Sequence, residues 1–184
     1  MTRVSLADRV IAIDRCLADV PHAFGGALAL AYYAEPRGTV DIDLNVFVGV
    51  DRVPDVAQPL AGIGVSIEGA IDLIRRDGQA RVFWDDTPID LFFAYDAFHD
   101  AAAAKRRSVP FGDTTIPILA VEHLVVCKVI FNRPKDWVDI DAILAIGTAV
   151  DAADVLRWVG RVAGDEDARY ERIAAVLTRS SGVG

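Results

Sequence analysis

Between Arg37 and Val48 apolar and polar residues alternate. Val40, Ile42, Leu44, Val46 and Val48 fall on one side, Thr39, Asp41, Asp43 and Asn45 on the other. That period of two predicts a strand with one buried face. Upstream, Leu6, Val10, Ile13, Leu17 and Val20 recur at helical spacing, with Ser5 as N-cap, Asp8 three residues on and Pro21 as the stop. "GGALALAYYAE" is apolar all round and predicts a short buried helix starting at the glycine pair, with a turn at "PRG". Residues 51–70, where Pro and Gly interrupt short apolar groups, predict a loop or short helix and then a weak strand. "ARVFW" and "IDLFFAY", joined by "DDTP", predict a hairpin. "DAFHDAAAAKRRSVPFGDTTIPIL" predicts a short helix, a basic loop and a brief edge strand. "VEHLVVCKVIF" predicts a helix stopped before Pro134, and the next restarts at once with Asn132 or Arg133 near its cap. Two more helices, each opened by acidic residues, precede a frayed "SSGVG" tail. The layout is α+β: a small mixed sheet flanked by helices over residues 1–117, and a helical region over 118–184 packed on it as one compact unit.

Composition narrows this picture. The chain has 184 residues, 53% hydrophobic and 25% charged, enough for one core without staples. Cys16 and Cys127 are far apart and form no CxxC, so they read as buried thiols of a reducing cytosol, and the expected location is cytoplasmic. The N-terminus lacks a signal-peptide pattern. No apolar run approaches the roughly 20 residues of a membrane span, so no membrane partner is expected. A net charge of −8 argues against broad, sequence-independent nucleic-acid binding. His22, His99 and His123 lie in unrelated contexts and make no zinc spacing.

The chemistry centres on the alternating strand. Asp41 and Asp43 share its polar face, with Cα atoms about 6.5–7 Å apart. Two carboxylates that close repel unless neutralised, and Mg²⁺ prefers such hard oxygen ligands. A bare pair reads first as a solvated face or a salt bridge to Arg37. Gly25–Gly26 changes the balance, because glycines at a helix start expose backbone N–H groups and let a phosphate approach. Together the two features suit a nucleoside triphosphate with Mg²⁺. Two-metal phosphoryl transfer wants a third carboxylate. Asp90 fills that place: it faces away from Ile89, Leu91, Phe93 and Tyr95, and it is costly in so apolar a strand unless paired or metal-bound. Asp85 and Asp86 read as turn formers. Lys128 either snorkels or offers a fixed cation to the triphosphate. Lys135 and Asp136 read as positioning residues, Asp139 as an ordinary helix-dipole partner. Lys105, Arg106 and Arg107 read as a solvated loop, with RNA contact the alternative.

Gly25-Gly26, then Arg37-x-Thr39-x-Asp41-x-Asp43, then Asp90, resembles the nucleotidyltransferase superfamily of DNA polymerase β. "GGALALAYYAEPRGTVDIDL" and "IPILAVEHLVVCKVIFNRPKDWVDIDAIL" look most like its bacterial abortive-infection (AbiEii-like) toxin branch, over roughly residues 20 to 145. The resemblance implies that Asp41, Asp43 and Asp90 bind Mg²⁺, with two ions during catalysis. It implies that Asp90 also helps activate an acceptor hydroxyl, and that Gly25 and Gly26 hold the triphosphate of an NTP, ATP among them. Lys128 would contact the nucleotide, and Arg37 and Thr39 would orient the DxD turn or touch phosphate. Many relatives have Gly-Ser where this chain has Gly-Gly, so a serine hydroxyl to phosphate is missing.

The implied reaction moves an NMP to an acceptor hydroxyl with release of pyrophosphate. One expectation is the toxin of a toxin–antitoxin pair acting on tRNA or protein, with a cognate antitoxin as partner. Another is an enzyme modifying an aminoglycoside or lincosamide. A third is a catalytically silent nucleotide-binding protein.

Overall fold

The computed structural model describes residues 4–181. Residues 182–184, part of the tail read as frayed, lie outside them. The chain divides into two compact units. The first runs up to Leu28 and resumes over Gly38–Leu119; the second comprises Ala29–Arg37 and the chain from Ala120 onward.

The first unit is built on a six-stranded mixed sheet. Its strands are β1 (His22–Phe24), β2 (Ile42–Val46), β3 (Gln79–Trp84), β4 (Thr87–Phe93), β5 (Arg107–Phe111) and β6 (Thr114–Ile118), in the order β3-β4-β2-β1-β6-β5. β2 runs parallel to β4 and antiparallel to β1. Ile42 pairs with Ile89, Leu44 with Leu91 and Val46 with Phe93, and all six are fully buried. This row of cross-strand apolar pairs fixes the register, since a slip of one residue would turn it toward the polar face. Helices α1 (Leu6–Cys16), α3 (Val53–Gly62), α4 (Ile71–Asp77) and α5 (Ala97–Lys105) belong to the same unit.

α1 begins as its sequence predicts. Ser5 Oγ accepts from the Asp8 amide, and the Asp8 carboxylate accepts from the Ser5 amide, closing a capping box. Its buried Arg9 donates to the Trp84 carbonyl and, at 2.9 Å, to Asp85 Oδ2, tying α1 to the tip of the β3–β4 hairpin. The two-residue turn there has Asp85 at φ +52°, a left-handed position that a short polar side chain tolerates.

In the second unit, α6 (Val121–Phe131) is followed by α7 (Pro134–Ala145), α8 (Ala152–Ala163) and α9 (Ala168–Ser181). α6 packs on α7, α8 and α9. Asn132, in the left-handed conformation, ends α6, and Pro134 opens α7 in its first turn. α2 (Gly26–Leu30) spans the boundary between the units. Among the described residues no helix is long and apolar enough to cross a membrane.

Several local expectations change. Residues 51–70 form α3, with short 3₁₀ turns at Val50–Arg52 and Glu68–Ala70, and no weak strand. Val53, Val56 and Leu60 bury one stripe of α3, and that burial outweighs Pro59 in its interior. "PRG" lies in irregular chain, and β1, three residues long, had not been anticipated. Arg107 starts β5 and lies outside any basic loop. Val40 and Tyr95, expected on buried faces, are each 71% exposed, because the strands stop short of them. Cys16 and Cys127 form no disulfide and are half-buried. Burial, aided by the Asp14 charge, pushes the Cys16 thiol up to about 11.

Candidate functional site

The polar face of the sheet gathers the acidic residues. Asp43 on β2 is the cross-strand partner of Asp90 on β4. Parallel neighbours lie about 4.8 Å apart, so the two carboxylates leave the sheet side by side. Asp41 sits just before β2, at the same phase of the alternation as Asp43. Thr39 fixes it there: the Asp41 amide donates to Thr39 Oγ1 at 3.2 Å, and that hydroxyl donates to the Asp41 carbonyl at 3.2 Å.

Gly25 and Gly26 follow β1, the strand on the other side of β2. The Gly25 amide donates to the Asp43 carbonyl at 2.9 Å, so that donor belongs to the sheet ladder and is withdrawn from any phosphate. Gly26 has φ +53°, and a Cβ built on it would lie 1.8 Å from Asp43 Oδ2. A Cβ at Gly25 would approach Asn45 Nδ2 to 2.9 Å. The pair therefore has a steric reason beyond phosphate binding: only glycine lets the Asp43 carboxylate lie against the backbone. α2, five residues long, adds little macrodipole of its own.

One residue of this cluster escaped the sequence reading. Arg81 on β3 is the cross-strand partner of Asp90. Its Nε donates to Asp90 Oδ1 and its Nη2 to Asp90 Oδ2, both at 2.7 Å, and Nη2 lies 3.6 Å from Asp41 Oδ2. The hydrogen bonds to Asp90, together with the charges of Asp90, Asp41 and Asp43, raise the guanidinium above its ordinary value although burial works the other way. Asp90 is thus paired, as a carboxylate in an apolar strand requires. The donor set, all carboxylate oxygen, suits a hard divalent ion, and a cation already sits among the three acids. Among the described residues, however, no group of three or more His, Cys, Asp or Glu side chains is drawn together as a ready ion cage.

The remaining candidates lie in the second unit. Lys128 does not snorkel. It is 4% exposed, and its Nζ donates to Asp139 Oδ2 at 2.6 Å. Arg37 closes on the same carboxylate, Nε to Oδ1 and Nη2 to Oδ2, both at 2.9 Å. Asp139, read from sequence as a dipole partner, is the buried centre of this cluster. Burial pushes its carboxyl up, but the hydrogen bonds and charges of Arg37 and Lys128 outweigh that and hold it below the usual carboxylate range. Asp136 is fully buried and accepts from the Arg133 amide and guanidinium, a cap for α7. Lys135 is exposed on the first turn of that helix.

No family model matches the chain, and no curated protein matches it. Solved structures do share its fold. One is the antibiotic-resistance factor ANT(2'')-Ia in solution, 16% identical, with a TM-score of 0.51 over 95% of this chain and 94% of that one. A second is an antigenic nucleotidyltransferase-like protein from Paracoccidioides brasiliensis, 13% identical, with a TM-score of 0.55 over 95% of this chain and 87% of that one. A third is ANT(2'')-Ia in complex with adenylyl-2''-tobramycin, 13% identical, with a TM-score of 0.51 over 96% of this chain and 98% of that one. At these identities the likeness is one of fold. The architecture is that of nucleotidyltransferase-like proteins, a mixed sheet flanked by helices with a helical C-terminal part.

Proposed function

We propose that this chain is a Mg²⁺-dependent nucleotidyltransferase that moves an NMP from an NTP to an acceptor hydroxyl and releases pyrophosphate. The observation that carries the reading is the placement of Asp43 beside Asp90 in one register, with Gly26 left bare so that the Asp43 carboxylate fits. The nucleotidyltransferase-like fold supports it.

In this reading Asp41 and Asp43 hold Mg²⁺, and Asp90 is the third ligand. Bound Mg²⁺ would supply neutralising charge for the triphosphate and acidify the acceptor hydroxyl. Asp90 accepts the acceptor's proton as the hydroxyl attacks the α-phosphate. Thr39 keeps Asp41 aimed, and Gly26, having no Cβ, leaves room for the Asp43 carboxylate to keep its place.

The test is transfer of label from α-³²P NTPs to a cell extract. Label should move only with Mg²⁺, and Asp43→Asn should slow it about 10³-fold, the several kcal/mol that metal-borne charge stabilisation supplies. Equal transfer by Asp43→Asn would remove the reading.

Two acceptor classes follow. The abortive-infection resemblance supports a toxin acting on tRNA or protein, restrained by an antitoxin; growth arrest on expression, relieved by Asp43→Asn, tests it. A small cationic acceptor such as an aminoglycoside is favoured by the net charge of −8, and by near full-length overlap with ANT(2'')-Ia. Raised inhibitory concentrations on expression test that one.

A further inference from the structure

The three acids lie at adjacent positions on one sheet face, and three negative charges there would repel. The chain meets this with Arg81. Its fork takes both oxygens of Asp90 at 2.7 Å and reaches toward Asp41 at 3.6 Å. A divalent ion ligated by Asp90 would need one of those oxygens and would meet the guanidinium a few ångströms away, a like-charge contact. Arg81 is also easy to move. It stands on β3, the last strand of the sheet, its side chain is 49% exposed, and its partner Asp90 is only 22% exposed. The bidentate fork makes this pair stronger than most surface ion pairs, but the half-exposed side chain leaves the guanidinium room to swing toward solvent.

We propose that Arg81 and a divalent cation compete for Asp90, so that loading the acidic cluster requires Arg81 to withdraw. The inference rests on the proposed Mg²⁺ reading. It makes Arg81 a positioning residue that sets how readily the site takes its ion.

The experiment is Mn²⁺ titration followed by electron paramagnetic resonance, with no nucleotide and no turnover. Wild type, Arg81→Gln, Asp90→Asn and the double variant are compared. Arg81→Gln should bind Mn²⁺ tighter, by roughly tenfold, the effect of removing one nearby like charge. In the Asp90→Asn background the same change should gain clearly less, since only the charge beside Asp41, 3.6 Å away, is then removed. Arg81→Lys, which keeps the charge but loses the fork, should fall between wild type and Arg81→Gln. Equal or weaker binding by Arg81→Gln, or an undiminished gain in the Asp90→Asn background, overturns the competition while leaving the Mg²⁺ reading standing. No Mn²⁺ bound by either wild type or Arg81→Gln at millimolar ion overturns both.

Discussion

Gly26→Ala should slow nucleotidyl transfer by about 10³-fold and lower the melting temperature at once. Gly26 sits at φ +53°, where a side chain is strained by about 1–2 kcal/mol before any contact is counted. The new methyl would then stand 1.8 Å from Asp43 Oδ2 and 2.4 Å from its Cγ. No rotation of the methyl relieves that, so the Asp43 carboxylate must leave its place. In a chain of this size about 2 kcal/mol corresponds to a fall of roughly 4–8 °C. Loss of the aimed carboxylate should cost about 10³-fold in rate, as for Asp43→Asn. Calorimetric melting and the label-transfer assay read the two effects separately. The double variant Gly26→Ala/Asp43→Gly, which removes the clash, should recover part of the stability and none of the activity. A fully active Gly26→Ala protein would mean that Asp43 needs no such seat.

Asp139→Ala should strongly destabilise the second unit. It strands Lys128, which is 4% exposed and has its ammonium 2.6 Å from the deleted carboxylate. Breaking a buried pair from one side costs about 3–5 kcal/mol. Replacing both partners with apolar residues, Lys128→Met with Asp139→Leu, should restore much of it, because the uncompensated charge is then gone. The pH dependence has a definite sign. Arg37 and Lys128 hold the folded Asp139 carboxyl below its unfolded value, despite burial. Its contribution is therefore fully present above about pH 4, the unfolded aspartate range. It fades as pH falls through the lowered folded value. Urea unfolding of wild type and Asp139→Asn should differ at pH 7 and converge under strongly acid conditions. An unchanged gap across that range would contradict the role given to Asp139.

What could be read from the sequence followed the range of the interactions. The β2 face, the β3–β4 hairpin and the caps at Ser5 and Pro134 depend on residues close in the chain, and each was legible. Arg81 was legible too, by counting inward from the Asp85–Asp86 turn. Trp84 pairs with Thr87, Phe83 with Pro88, Val82 with Ile89 and Arg81 with Asp90. It is not among the residues singled out from the sequence. The Arg37–Asp139–Lys128 cluster could not be found this way, since its members come from separate elements and alternation says nothing about their meeting. β1 was too short to display a period, and in α3 the prolines hid a stripe that burial made decisive.

The ladder that joins Gly25 to Asp43 and Asp43 to Asp90 also determines which changes of length the protein can accept. A one-residue insertion or deletion within β2 would exchange its two faces. It would carry Asp43 and Asn45 into the apolar row and Leu44 into the acidic cluster, while every codon elsewhere stayed intact. The irregular stretch at residues 35–40, outside any ladder, can change length without exchanging those faces, provided that Arg37 still reaches Asp139 and Thr39 still holds Asp41. Among descendants of this sequence, variation in length belongs there, and β2 should change by substitution alone.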